Sequence, residues 1–213
     1  MRSDYEPQSY VVQPQDTLYS IAWRHDLDYR ALARWNGIGP DYRISVGQIL
    51  SLRPASPPVE TPLANRAPPV SAPPRAAVPP GNGVAPPPAQ QSAATRWMWP
   101  TSALETPQAV AGGGILLAGL LGQPVRAAGS GRIVYVGNGI RGYGNLIIIK
   151  HDESFLSAYA HTQDITVREG QEVLRGQVIA QMGVGPHQSP ALYFEIRLNG
   201  KPVDPLPYLS GQR

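Results

Sequence analysis

The period of the apolar positions changes along this chain. Tyr10-Val11-Val12 is a short β-branched run, and Leu18, Ile21 and Ala22 then recur at helical spacing, behind Asp16 or Thr17 as N-cap. A second helical pattern over Tyr29, Leu32, Ala33 and Trp35 stops at Asn36-Gly37, where a left-handed residue ends a helix cheaply. Val46-Gly47-Gln48-Ile49-Leu50-Ser51-Leu52 reads as a strand, which makes residues 9–53 a βααβ unit. Over 54–95 the periodicity vanishes into Pro, Ala, Val, Ser, Gln and Gly. More than half of the 24 prolines lie there, so a flexible, disordered linker is expected. The pattern returns over 96–210. Ile133–Val136, Leu146–Ile149, Leu156–Ala160, Val178–Ala180 and Leu192–Arg197 read as strands, separated by breaks such as Gly137-Asn138-Gly139 and Asn199-Gly200. No helical period is evident in this last part, which is expected to be all-β.

Composition narrows the chemistry. Without cysteine there is no disulfide framework and no thiolate metal site, which suits a reducing compartment or a periplasmic protein that needs no staple. The formal charge is +3, but the basic residues are scattered, so no nucleic-acid patch is read. No run reaches the roughly 20 apolar residues of a membrane span; Ile115–Leu121 is far shorter. Met1-Arg2-Ser3-Asp4-Tyr5 carries no apolar export signal, so the protein is cytoplasmic or its signal has been removed.

The first unit resembles the LysM module in Tyr10-Val11-Val12, Asp16-Thr17-Leu18, Leu32-Ala33-Arg34-Trp35-Asn36-Gly37-Ile38 and Val46-Gly47-Gln48-Ile49-Leu50. It departs at Gln15, where that family usually has glycine. The resemblance implies binding of N-acetylglucosamine polymers such as peptidoglycan, in a groove between Asp16, Thr17 and Leu18 on one side and Asn36, Gly37, Ile38 and the 40–44 segment on the other. On the residues alone, Leu18 is equally a core position and Asn36-Gly37 a helix stop.

In the last unit, Gly142-Tyr143-Gly144-Asn145-Leu146 through His151, Ser157-Ala158-Tyr159-Ala160-His161, Val167-Arg168-Glu169-Gly170 and Phe194-Glu195-Ile196-Arg197 resemble the LytM (M23) zinc endopeptidases, of duplicated-hybrid-motif type. Among these the murein hydrolase activator NlpD family is most similar, since it also joins LysM to LytM through a linker. An active member holds zinc with H-x-G-x-D in one segment and a histidine of a later H-x-H strand. Here the three ligand positions are Gly112, Leu116 and Tyr193, and the first position of H-x-H is Ala191; the catalytic-type His161 remains. No cofactor and no catalysis are therefore expected. His187, in the loop before the altered strand, is a lone substitute or a solvent-facing loop residue. His151 and His161 read as structural imidazoles in preference to chemical ones.

The resemblance implies a non-catalytic, periplasmic activator of N-acetylmuramoyl-L-alanine amidases in septal peptidoglycan cleavage. Its partner groove would be lined by Leu116, Arg141, Tyr143, Asn145, His161, Tyr193 and Glu195. Members of that family carry a lipidated cysteine, so a link to the outer membrane would run through an anchor outside this sequence. The alternatives are a wall-binding scaffold without an amidase partner and a zinc endopeptidase with a rearranged site.

Overall fold

A computed structural model of the protein describes residues 9–54 and 97–210. The linker expected over 54–95 lies, after Pro54, outside them.

The N-terminal unit has β1 (Ser9–Val11), α1 (Leu18–Arg24), α2 (Tyr29–Trp35) and β2 (Ile49–Ser51), with β1 and β2 antiparallel, Tyr10 opposite Leu50. Of the two candidate caps, Thr17 is the one used: its hydroxyl accepts from the Ser20 N–H, and the Ser20 hydroxyl accepts from the Thr17 N–H. This reciprocal arrangement satisfies two first-turn donors. Asp28 caps α2 by accepting from the N–H groups of Arg30 and Ala31. The strand read over Val46–Leu52 is shorter in the structure. Gly47 sits at φ 83° in a turn closed by Gln48 N–H to Ser45 O, which leaves only Ile49–Ser51 to pair. Gln15 also has a left-handed backbone, φ 69°. A non-glycine residue there costs about 1–2 kcal/mol, which explains why glycine is usual at this point in LysM modules.

The C-terminal unit is built from β3 (Gln108–Ala109), β4 (Ile115–Ala118), β5 (Pro124–Arg126), β6 (Gly131–Gly137), β7 (Leu146–Lys150), β8 (Phe155–Ala160), β9 (Thr162–Gln163), β10 (Glu172–Val173), β11 (Val178–Met182), β12 (Ala191–Leu198), β13 (Lys201–Val203) and α3 (Leu206–Ser210). An eight-stranded sheet runs β10-β6-β7-β8-β12-β4-β3, with β13 also on β12; a second sheet runs β5-β11-β9. Strand alternation divides the large sheet into two faces. Ile147, Ile149, Tyr159, Leu192, Phe194 and Ile196 point into a core shared with the small sheet. Val134, Tyr135, Leu146, Ile148, Leu156, Ala158, Ala160 and Tyr193 form a second core with Leu18, Ile21, Trp23, Tyr29 and Leu32 of the N-terminal unit. The N-terminal unit therefore packs on the outer face of the large sheet. Both faces of β7 and β8 are covered, which explains their nearly continuous apolar sequence.

His151 is structural, as its sequence context suggested. Its Nδ1 is 2.8 Å from the Ser130 carbonyl and so carries the proton, and Nε2 accepts from the Ser157 hydroxyl at 2.7 Å. Trp97 packs edge-on against the ring. Burial pushes the His151 pKa down from 6.5 to about 4. The unfolded chain takes up this proton as pH falls below about 6.5 and the folded chain resists until about 4, so stability is unaffected above 6.5 and declines between the two values. The expected loss is on the order of 3 kcal/mol by pH 4. Urea unfolding of wild type and His151→Gln at pH 7, 5.5 and 4 measures it. The gap between the two proteins should narrow on acidification, and a constant gap would refute the assignment.

Candidate functional site

The alternation that makes the inner core of β12 apolar puts Ala191, Tyr193, Glu195 and Arg197 in one row on the outer face. Leu116 of β4 lies directly opposite Tyr193 in the ladder and shares that face, and Gly112 stands exposed in the loop before β4 at φ 106°. Of the three positions expected from the resemblance, Leu116 and Tyr193 are thus neighbours on one sheet surface and Gly112 lies in the adjoining loop. Their side chains do not fit a zinc ion. Gly112 offers no donor and Leu116 is aliphatic. The Tyr193 hydroxyl donates to Glu195 at 2.7 Å, and its ring fills the space above Gly114, where a Cβ would come within 2.4 Å of it. Burial first, and then the Glu195 charge, hold the Tyr193 hydroxyl far above the ordinary phenol range, so it remains a neutral donor. Among the described residues no group of three or more His, Asp or Glu is placed to hold a metal.

A polar chain runs along this row. Tyr143 packs edge-on against Tyr193 at 5.5 Å, and its hydroxyl is 3.5 Å from the same Glu195 oxygen. The other Glu195 oxygen accepts from Arg197 Nε at 2.7 Å; the two side chains are only 1% and 3% exposed. Arg197 continues outward, donating to the Trp23 carbonyl at 3.1 Å and the Asp26 carboxylate at 2.9 Å, with its guanidinium 3.8 Å from the centre of the Trp23 ring. The end of α1 therefore sits on top of the row. Sequence reasoning missed Trp23, Asp26 and Arg197. The available signal was Arg197 itself: an acid and a base alternating on one face of an otherwise apolar strand have to be paired.

The residues expected to line a partner groove divide accordingly. Arg141 and Asn145 are exposed; Leu116, Tyr143 and His161 are half-buried; Tyr193 and Glu195 are buried beneath the N-terminal unit. Arg141 and Tyr143 border a cavity of about 500 Å³ in the seam between the units, together with Trp23, Arg24, Asp26 and Arg197. Asn145 and His161 line a separate, open cavity of about 370 Å³ with Gly183 and Val184. Burial lowers the His161 pKa, which favours the neutral ring. His187 is exposed in the loop before β12.

In the N-terminal unit, several residues expected to touch sugar are engaged in the fold. Asp16 accepts from Tyr10, from the Gln13 N–H and from Arg24, and Leu18 is core. The Asn36 amide bonds the Leu32 carbonyl and both backbone groups of Ser51. Gly37 is exposed and Ile38 half-buried, which leaves these two of the expected residues for a ligand.

A βααβ module packed on a β-rich domain of peptidase-like sheet topology defines a LysM–M23 protein. The comparisons agree. The family model for Peptidase family M23 matches residues 111–205 and that for the LysM domain residues 10–53. The Lipoprotein NlpD/LppB homolog of Pseudomonas aeruginosa is 44% identical, the match covering 94% of this chain and 76% of the relative. The uncharacterized lipoprotein YgeR of Escherichia coli is 40% identical over 98% of this chain and 83% of its own length. The murein hydrolase activator NlpD of Escherichia coli is 37% identical over 98% and 69%. A crystal structure of a putative peptidase M23 from Pseudomonas aeruginosa superposes with TM-score 0.51 at 24% identity, over 57% of this chain and 53% of that one, and shows the shared fold. The chain belongs to the NlpD/LppB family.

Proposed function

We propose that this protein is a non-catalytic activator of a periplasmic N-acetylmuramoyl-L-alanine amidase in septal peptidoglycan cleavage. On this reading the LysM module holds the glycan and the outer face of the large sheet holds the amidase. The observation that carries it is the combination of a retained peptidase sheet with Gly112, Leu116 and Tyr193 at the three ligand positions, Tyr193 being locked to Glu195. A surface kept after its catalyst is gone is useful as a surface. The murein hydrolase activator relatives support the same direction. Relatives described as lipoproteins, one of them as an outer membrane antigenic lipoprotein, support a place at the envelope, on the periplasmic side of the outer membrane.

An activator shifts its target only by binding the active form more tightly than the inactive one. Arg141 is exposed at the seam and can pair with a carboxylate. Tyr143, beside it, is of a residue type enriched at interface hot spots. Release of dye from labelled peptidoglycan tests the reading. The protein alone should release none and hold no stoichiometric zinc by elemental analysis. Added to an amidase from the same cell it should raise release, and Arg141→Ala should lower that gain about tenfold at unchanged melting temperature, the loss of one good interface ion pair. Release by the protein alone, or a full gain with Arg141→Ala, would count against it.

A further inference from the structure

The seam between the two units is polar at its edges and imperfectly filled. Besides the Arg197 contacts, Lys201 Nζ donates to the Asp26 carbonyl at 3.2 Å, Arg30 to the Asn199 side chain at 2.8 Å, and the Tyr29 hydroxyl lies 3.2 Å from the Glu153 carbonyl. Arg24 reaches the Gly139 carbonyl at 3.4 Å. The β12–β13 hairpin turns through Asn199 and Gly200, both left-handed, and presses its glycine against the α1–α2 connection. A Cβ on Gly200 would lie 2.5 Å from Asp28 Cα and 2.7 Å from its N. Close approach of this kind needs glycine. Beside these contacts the seam opens to solvent in a cleft of about 500 Å³ with the exposed Arg141 on its wall. The edges of the seam thus carry the hydrogen bonds and ion pairs of a docked interface, around the apolar contacts that the two units share.

The docked element covers the row in which a partner would be received. We infer that the LysM module is a built-in cover of the groove: the end of α1, Trp23 to Asp26, occupies the Arg197–Glu195–Tyr193 row in the resting chain, and the amidase gains it only when the module swings away. This rests on the activator reading above. It also states the chemistry of the incoming element. Arg197 is buried and doubly served by a backbone carbonyl and a carboxylate from the module, while an aromatic ring lies on its face. A partner that replaces the module has to offer an equivalent set, because a buried guanidinium stripped of partners is costly. An acidic residue near the end of a helix, with an aromatic beside it, meets that need.

The full chain has no cysteine, so a pair placed across the seam, Arg30→Cys with Asn199→Cys, can be joined selectively by a short, cleavable bis-maleimide. Dye release by the amidase is then followed with wild type, the bridged pair, the pair after cleavage, and the openers Gly200→Asn and Asp26→Asn. Asn tolerates the left-handed backbone at both places, and Asp26→Asn keeps the fold if Gly200→Asn does not. The bridge should lower stimulation about tenfold and its cleavage restore it, while the openers should raise stimulation severalfold. Equal stimulation by wild type, the bridged pair and the openers overturns the cover and leaves the activator reading standing. Failure of the two cysteines to be bridged also overturns it, since the two positions would not face each other. No stimulation by any protein, openers and cleaved pair included, overturns the activator reading and the cover with it.

Discussion

Glu195→Ala should destabilise the protein by about 3–5 kcal/mol, the loss expected when one partner of a buried ion pair is removed. Arg197 is 3% exposed and lies between the sheet and α1, so its charge cannot turn to water. Asp26 remains as a partner, but its side chain is 68% exposed and screened, and it compensates weakly. The Tyr193 and Tyr143 hydroxyls lose their acceptor in the same step. The control is the double substitution Glu195→Met with Arg197→Met. It removes both charges, and its cost should be far smaller than that of Glu195→Ala, because the pair's attraction is largely offset by its desolvation. Urea unfolding of wild type, single and double variants measures both quantities. A single-variant loss under about 1 kcal/mol would mean that the pair is solvated in solution and that the row is not covered as described.

Removal of residues 1–96 should produce a C-terminal unit that binds the apolar dye ANS and melts more than about 10 °C below the full chain. Val134, Ile148, Leu156, Ala158 and Tyr193 belong to the core shared with the N-terminal unit. Uncovering a large aliphatic side chain costs about 1.5–3 kcal/mol, and 1 kcal/mol shifts the midpoint of a domain this size by about 4–8 °C. Calorimetry and ANS fluorescence report the result. A truncated chain with an unchanged midpoint and no dye binding would show that the outer face does not depend on the module.

Most of the elements were legible from the order of residues. Each of the five long apolar runs of the C-terminal unit is a strand, the first helix begins at one of the two expected caps, Thr17, and the second ends at the expected Asn36-Gly37 stop. Tyr10 and Leu50 pair as a βααβ unit requires. The short strands β3, β5, β9, β10 and β13 were not legible, since two or three residues carry no period and acquire one only by pairing; the four-residue β4 and the five-residue α3 were not read either. The strand expected over Val46–Leu52 was trimmed because Gly47 takes a left-handed turn. Gly112, Leu116 and Tyr193 were named through the resemblance to the M23 peptidases, and the ladder places Leu116 opposite Tyr193 on one face.

What the sequence determined by itself is therefore local: the helical and strand periods, the Thr17 cap, the Asn36-Gly37 stop and the Asn199-Gly200 turn, each a property of a few neighbouring residues. What the tertiary structure alone decided is non-local. Nothing in the spacing of Trp23 and Asp26 announces a contact with Arg197, which lies far along the chain. The contact arises because β12 places Glu195 and Arg197 on an outer face that has to be covered, and because Gly200 lets the α1–α2 connection approach closely enough to cover it. Burial of paired charges between two separately legible units depends on how their surfaces meet, and no window of sequence contains both surfaces.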